Sequence, residues 1–138
     1  MKKAVILDEI SIDGKIKRLS YEIFERNLNN KKILFVGIKK NGFVLAKLIK
    51  KELSKICKIK IDITQVLVDK QKPFAECVTY NNSIETHRNT SVIVIDDVCS
   101  SGKTMMYVVS SLIYNLTNKI STLVLVDRKH HNFPIKTD

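Results

Sequence analysis

The feature of this sequence that most restricts its fold is the stretch VIVIDDVCSSGKT at residues 92–104. Four branched apolar residues come first, and such a run predicts a strand that is buried on both faces. Two adjacent carboxylates follow, and small residues with a glycine then lead into an apolar pattern of helical period. The stretch therefore predicts a strand, a tight turn and a helix, the unit from which α/β domains are built.

The other apolar patterns predict a series of strand and helix units. Helices are predicted at 10–28, 42–56 and 104–116, and strands at 33–38, 60–68, 91–96 and 121–127. This order is typical of an α/β domain in three layers, with a mostly parallel sheet and helices on both faces. All 138 residues, 1–138, are expected to form one domain. Because ligands bind at the carboxyl ends of such strands, the loops 37–42 and 96–104 are the candidate site.

Residues 69–90 form a long polar connection with a proline, paired asparagines and mixed charge. Such a segment is often a mobile lid over a site, and a strand hairpin with an irregular tip is the alternative. Its candidate contact residues are Lys70, Lys72, Tyr80 and Arg88, and an exposed surface position explains each of them as well.

Composition excludes several classes of protein. No apolar run approaches the ~18 residues that cross a membrane, and no signal-peptide pattern begins the chain, so a cytoplasmic protein is expected. The cysteines Cys57, Cys77 and Cys99 are scattered, which favours neither a disulfide framework nor a zinc site. The net charge of +10 would attract nucleic acid or anionic small molecules, but lysines greatly outnumber arginines, and a solvated lysine surface is the simpler interpretation.

The turn after the two acids has the chemistry of a phosphate cradle. Its residues are Ser100, Ser101, Gly102, Lys103 and Thr104. Free N–H groups, hydroxyls and the helix dipole favour an anion there, whereas Asp96 and Asp97 would repel a bare phosphate. A ligand that presents hydroxyls or a metal ion beside its phosphate explains both features, and a ribose 5-phosphate with Mg²⁺ meets this description. Asp97 stands where a Walker A loop has its first glycine, so an ATPase is a remote alternative.

Residues 92–104 resemble the phosphoribosyl pyrophosphate (PRPP) motif of type I phosphoribosyltransferases: four apolar residues, two acids, two further residues, then small-small-Gly-x-Thr. Residues 37–42 are similar to the pyrophosphate loop of that family. Residues 127–130 and 134–135 resemble the D-R-x-H-x-x-x-P-I stretch of its pyrimidine-operon attenuator branch, the bifunctional uracil phosphoribosyltransferase regulators. The N-terminal helix, with Ile16-Lys17-Arg18 and Glu25-Arg26-Asn27, is similar to the same branch.

The resemblance implies the type I phosphoribosyltransferase fold and transfer of the phosphoribosyl group from PRPP to a nucleobase, with a pyrimidine such as uracil favoured. It implies catalytic roles for Asp96 and Asp97, with Mg²⁺ as cofactor, held by these acids and mainly through PRPP. The implied substrate-binding residues are Lys39, Lys40, Asn41, Gly42, Cys99, Ser100, Ser101, Gly102, Lys103, Thr104 and Arg128. A homo-oligomer, usually a dimer, is implied as well, and no DNA or membrane partner is expected. An RNA-binding pyrimidine-operon regulator and a non-catalytic PRPP or nucleotide sensor are the alternatives on the same fold.

The sequence departs from the family pattern at three places. Ser100 stands where purine-salvage members usually have an aspartate, which disfavours a purine base. Lys40-Asn41 stand where the attenuator branch usually has Thr-Arg, so one phosphate-binding fork is absent and Lys40 replaces it in part. The family continues beyond the position of Asp138 with a strand and loops that frame the base, so base recognition is expected to need a partner subunit or further residues.

Overall fold

The structure, a computed structural model, describes residues 9–69, 71–73, 77–81, 90–99, 102–114 and 119–127. In chain order, its helices and strands are α1 (Glu9–Arg26), β1 (Lys32–Ile38), α2 (Lys39–Ile56), β2 (Lys60–Val68), β3 (Val78–Tyr80), β4 (Ser91–Cys99), α3 (Lys103–Tyr114) and β5 (Lys119–Asp127). The predicted helices and strands are all present.

The five strands form one sheet in the order β3-β2-β1-β4-β5. The central strand β1 pairs in parallel with β2 and β4, and β4 pairs in parallel with β5. Only the short β3 runs antiparallel, against the end of β2. The four parallel strands therefore end at the same edge of the sheet, with the carboxyl ends of β1 and β4 side by side.

Side chains of β1 alternate between two cores, one on each face of the sheet. Ile33 and Phe35 lie in a core with α1 and α2, whereas Leu34, Val36 and Ile38 lie in a core with α3. All five side chains are buried. Helices on both faces of a mostly parallel sheet confirm the predicted three-layer α/β architecture.

The structure differs from the sequence prediction at several boundaries. The strand β4 continues to Cys99 rather than ending at 96, so Asp97 lies in the strand and not in the loop after it, and β5 begins at Lys119 rather than 121. In the polar connection the described residues show the hairpin that the sequence offered as the alternative to a lid: the strand β3 pairs with β2, and the Asp69 N–H donates to the carbonyl of Cys77 at 2.8 Å. The helix α2 begins at Lys39 rather than 42, directly after β1. Residues 82–89 of the connection lie outside the described residues, so the mobile lid stays a prediction. Within the described parts of the chain, none of the helices has both the length and the apolar composition needed to cross a membrane.

Candidate functional site

Two glycines bring the loop after β1 into contact with the end of β4. In the parallel register Gly37 lies opposite Ile95. A Cβ on Gly42 would lie 2.5 Å from the Ile95 carbonyl oxygen and 3.4 Å from Cα of Asp96, and one on Gly37 would lie 2.5 Å from Cα of Phe43. Neither position has room for a side chain, so both glycines are needed for the loop to approach the two acids this closely.

Between these glycines the backbone takes an unusual conformation at Lys39. Its φ of 56° makes it the one non-glycine residue in the described chain with positive φ. A lysine in the left-handed region is disfavoured on its own, and such strain is found mainly at sites that bind or react. Lys39, Lys40 and Asn41 are exposed at the start of α2, where the helix N–H groups are free and no acidic residue occupies the first turn.

The acids of β4 each cap the backbone of the next residue. The Asp97 N–H donates to Oδ1 of Asp96 at 2.8 Å, and the Val98 N–H donates to Oδ1 of Asp97 at 2.9 Å. Residues of β4 alternate between the α3 core and the α2 core, so Asp96 and Asp97 leave the strand on opposite sides, but their carboxyls lie close enough for a side-chain hydrogen bond. Both carboxylates are half-buried.

A hydrogen bond joins the two loops. Asn41 Nδ2 donates to Oδ2 of Asp97 at 3.2 Å. The candidate pyrophosphate loop and the candidate acid pair thus touch through side chains as well as through the glycine backbone, as expected for loops at neighbouring strand ends.

The pKa of Asp96 is raised from 3.8 to about 7. Burial of the carboxyl is the largest cause, followed by its side-chain hydrogen bond with Asp97. The N–H of Asp97 and the charge of Lys39 act in the opposite direction. Near neutral pH the carboxyl of Asp96 is therefore only partly ionised, and a ligand that needs the carboxylate must compete with a proton.

The turn before α3 presents the features of an anion site in its described part. Gly102 has φ of 86° and is buried, and its carbonyl accepts from the Met106 N–H at 2.9 Å to begin the helix. Lys103 and Thr104 follow in the first turn, which contains no acid. The start of α3 therefore has the free N–H groups that favour an anion. Ser100, Ser101 and Arg128 lie outside the described residues, as does the side chain of Cys99.

Two candidates from the polar connection can also be placed. Lys72 is exposed. The Tyr80 hydroxyl hydrogen-bonds to Oγ of Ser111 in α3 at 3.1 Å, and burial raises the pKa of this phenol while that bond lowers it. Tyr80 thereby ties the hairpin to the helix that begins at the candidate phosphate turn. Lys70 and Arg88 lie outside the described residues.

A cavity of about 320 Å³ lies elsewhere, between α1 and β5. Lys15, Glu22 and Arg26 line it from the helix, and residues 121–125 line it from the strand. None of the candidate site residues contributes to its lining, and Lys15 donates to the carbonyl of Leu125 at 2.6 Å.

Comparison with known protein families identifies the chain. The model of the phosphoribosyl transferase domain matches residues 4–138. The chain belongs to the phosphoribosyl transferase family. Curated relatives extend the match. The chain is 32% identical to the bifunctional protein PyrR of Actinobacillus succinogenes over 97% of its own length and 80% of that protein. It is 33% identical to the PyrR protein of Streptococcus gordonii over its whole length and 82% of that protein. These relatives confirm the resemblance to the PyrR-like branch of type I phosphoribosyltransferases.

Solved structures agree on the fold of this phosphoribosyltransferase. A hypoxanthine-guanine phosphoribosyltransferase from Bacillus anthracis superposes with a TM-score of 0.74 at 18% identity, covering 91% of this chain and 71% of that one. A hypoxanthine phosphoribosyl transferase from Trypanosoma cruzi gives 0.75 at 13% identity, covering 91% and 69%. At such identities the likeness shows the fold alone.

Sequence reasoning placed Asn41 in the site but missed its contact with Asp97. The signal that was available is the departure from the family pattern at this position, since a short amide replaces a long arginine. The Tyr80–Ser111 bond was missed as well, and the short polar strand that carries Tyr80 gives no pattern from which to infer it.

Proposed function

We propose that this phosphoribosyltransferase moves the phosphoribosyl group from PRPP to a nitrogen of a pyrimidine base such as uracil and releases pyrophosphate. The observation that supports this most directly is the contact between the loop at 37–42 and the acids Asp96 and Asp97, at 3.2 Å through Asn41. PRPP carries a pyrophosphate and two ribose hydroxyls on adjacent carbons, and these two groups match the two halves of the site.

The acid pair is proposed to act on the ribose. Asp96 and Asp97 would accept hydrogen bonds from the ribose hydroxyls and so orient the sugar. As the bond at C1′ breaks, positive charge develops on the ring, and carboxylates already fixed beside it stabilise that charge without reorganising. The backbone N–H groups that hold one oxygen of each acid maintain the orientation.

The loop after β1 is proposed to receive the leaving group. Lys39 and Lys40 present two amines at a helix N-terminus, where a pyrophosphate is favoured by charge and by free N–H groups. The phosphate of the ribose would lie against the turn at 100–104, with Lys103 and Thr104 at the start of α3.

Mg²⁺ is the proposed cofactor. The donors fit this ion, which binds one or two carboxylates together with phosphate oxygens and water. Asp96 and Asp97 offer the carboxylate oxygens, and PRPP would supply most of the other ligands. When bound, Mg²⁺ would offset the negative charge of the departing pyrophosphate.

The choice of a pyrimidine is supported by Ser100 and by the PyrR relatives. A serine cannot readily exchange a proton with a purine ring at neutral pH, whereas an aspartate can. The structural neighbours that act on hypoxanthine or guanine are below 20% identical, so they carry no argument about the base.

Pyrophosphate release from PRPP and Mg²⁺ tests the proposal, in separate samples of uracil, hypoxanthine, guanine, xanthine and adenine. Release with uracil alone is the expected result. Release with a purine alone would contradict the proposed base. If the folded protein releases no pyrophosphate with any of the five bases, the transfer reaction is contradicted and a non-catalytic sensor of PRPP or nucleotides is favoured.

The proposed setting is the cytoplasm, with the chain assembled as a homodimer, as is usual for this fold. Cys57 and Cys77 are present as thiols, which fits a reducing compartment. Sedimentation analysis of the purified protein tests the oligomeric state, and a monomer at micromolar concentration would contradict the dimer.

An RNA-binding regulator of a pyrimidine operon is the second candidate function. The PyrR relatives are named bifunctional, and the exposed side of α2 carries a row of amines. Its exposed lysines are Lys39, Lys40, Lys47, Lys51 and Lys55. Binding of a pyrimidine-operon leader RNA should weaken steeply as salt rises, because lysine contacts to phosphate release counterions. Binding that is absent or insensitive to salt would contradict this role.

A further inference from the structure

We propose that Asn41 is a positioning residue that orients the Asp97 carboxylate from across the cleft. This inference rests on the proposed function and deepens it, because it assigns to the pyrophosphate loop a second task at the ribose. Asn41 was expected to bind substrate directly, and the geometry points instead to an action through Asp97.

Each oxygen of Asp97 accepts from a donor of its own, in addition to the side-chain hydrogen bond between Asp97 and Asp96. Oδ1 accepts from the Val98 N–H at 2.9 Å, and Oδ2 accepts from Nδ2 of Asn41 at 3.2 Å. One donor belongs to the strand and the other to the opposite loop. Two donors on two oxygens fix the rotation of a carboxylate, whereas one donor alone leaves its plane free to turn.

The backbone on either side of Asn41 is held in place, which restricts the positions that its side-chain amide can reach. Gly42, the next residue, lies against the Ile95 carbonyl and Cα of Asp96 with no space for a Cβ. Lys39, two residues earlier, is in the left-handed conformation that turns the chain from β1 into α2. Both features set the distance between Asn41 and the acid pair.

The long arginine that usually stands here in the attenuator branch suits a phosphate, while an asparagine side chain is short. The amide of Asn41 already donates to the Asp97 carboxylate, so it serves that contact rather than a phosphate. Loss of Asn41 should therefore weaken ligands that use Asp97 even when they have no pyrophosphate. A residue that binds pyrophosphate directly would show the reverse pattern.

Two probes separate these roles: uridine 5′-monophosphate, which has ribose hydroxyls but no pyrophosphate, and inorganic pyrophosphate with Mg²⁺. Calorimetry measures both with the wild type, Asn41→Ala, Asn41→Asp and Asn41→Gln. Ser54→Ala is the matched control, because it removes an exposed side-chain hydrogen bond, to the carbonyl of Lys50, near the far end of the same helix.

We expect Asn41→Ala to weaken binding of the nucleotide about fivefold, the effect of one hydrogen bond of ordinary net strength, because this bond is exposed to solvent. Asn41→Asp should weaken it further because two carboxylates would then face each other, and Asn41→Gln should recover part of the loss. Ser54→Ala should match the wild type. If Asn41→Ala weakens pyrophosphate and leaves the nucleotide unchanged, Asn41 binds the leaving group and the positioning role is overturned.

A double-mutant cycle with Asp97→Ala completes the test. If Asn41 acts through Asp97, Asn41→Ala has no further effect on nucleotide binding once Asp97 is alanine, and an equal loss in both backgrounds would overturn the proposal.

The proposed reaction is judged separately, by turnover of the wild type. A protein that binds the nucleotide but never releases pyrophosphate would contradict the reaction, while the coupling between Asn41 and Asp97 measured by the cycle would still decide the positioning role. A wild type that binds neither probe would overturn both.

Discussion

At the scale of single residues, the site depends on two neighbouring acids with different surroundings. Asp96 has a pKa raised to about 7, mainly by burial and then by its side-chain hydrogen bond with Asp97. Asp97 accepts from Asn41 across the cleft. Two adjacent aspartates thus differ: the carboxyl of Asp96 is costly to ionise, and the carboxylate of Asp97 is held by donors from two elements.

Asp96 should lower the stability of the protein as the pH rises. Its folded-state pKa of about 7 exceeds the usual value of 3.8, so the folded chain binds more protons than the unfolded chain between these values. The free energy of unfolding therefore falls from about pH 4 to about pH 7.

We expect Asp96→Asn to remove this part of the slope, and to be more stable than the wild type at pH 8 by about 1–2 kcal/mol after allowance for solvent screening. Urea unfolding at several pH values measures this. Asp13→Asn, at an exposed position on α1, is the control, and an equal slope in wild type and Asp96→Asn would contradict the prediction.

Asp97→Asn should separate activity from folding. The amide keeps the size of the side chain but removes the charge that would stabilise the ribose as C1′ loses its bond. We expect kcat to fall by about a hundredfold or more, a loss typical of an electrostatic group fixed in an active site. Turnover of PRPP measures this, with urea unfolding to show that the fold is retained. A variant as active as the wild type would refute the catalytic role.

The sequence predicted which residues meet at this site but not how they bond. Residues 37–42 and the acids Asp96 and Asp97 lie at the carboxyl ends of two neighbouring parallel strands, and their meeting at one edge follows from topology. The hydrogen bond from Asn41 depends on the rotamer of a short side chain and on a helix that begins three residues earlier than predicted. The raised pKa of Asp96 depends mainly on burial of its carboxyl in the folded chain, which no local pattern records.

At the scale of elements, the turn from β1 to α2 brings the two parts of the candidate site into contact. It contains Gly37 and Gly42, each with no space for a Cβ, and the left-handed Lys39 between them. The apolar run of β1 predicts the strand, and the helical period of α2 predicts its later turns. The first turn of α2 is polar, so its apolar pattern begins too late to locate the start of the helix.

Gly42→Ala should destabilise the protein while Gly14→Ala stabilises it. The added methyl at Gly42 would overlap the Ile95 carbonyl and force the loop away from β4, at a cost of about 3 kcal/mol. Gly14 lies in α1 with no atom within 4 Å of its Cβ position, so alanine should raise the free energy of unfolding by about 0.5–1 kcal/mol. Urea unfolding of both variants tests the pair. Equal effects at the two positions would show that the close approach at Gly42 is not needed.

The strand β3 shows why the sequence left two structures open for the polar connection. Its three residues, Val78–Tyr80, lie in a polar segment and are too few for a period to be recognised. They are extended because they pair with Val66–Val68 in a fixed register, and this partner lies on another part of the chain. For so short an edge strand, tertiary pairing rather than local propensity decides the conformation.

At the scale of the whole molecule, one sheet separates two apolar cores. Leu53 of α2 belongs to one core and Leu112 of α3 to the other, and both are fully buried. Successive side chains of β1 and β4 alternate between the two faces of the sheet, so each strand contributes apolar side chains to both cores. This division could be predicted from sequence, since near-continuous apolar strands between amphipathic helices are typical of a sheet covered on both faces.

Leu53→Ala and Leu112→Ala should each cost about 2–5 kcal/mol, because each removes buried atoms and leaves a cavity. The two losses should add in the double variant, since the side chains lie on opposite faces of the sheet and share no neighbours in either core. Urea unfolding measures all three variants. Ile113→Ala is the matched control, because this neighbour of Leu112 is 61% exposed, and its loss should cost less than about 0.5 kcal/mol. A double variant that is far from additive would show that the two cores communicate through the sheet.

The strand order β3-β2-β1-β4-β5 also determines the order in which strand edges are covered as this protein is synthesised on the ribosome. The middle strand β1 leaves the exit tunnel early, and β2 can cover one of its edges soon afterwards. The other edge must wait for β4, which is made only after the hairpin and the polar connection. During that interval an apolar, unpaired strand is open to neighbouring chains. The step that joins the two halves of the candidate site also closes that edge, so we expect aggregation to compete with folding while the chain between β3 and β4 is being made.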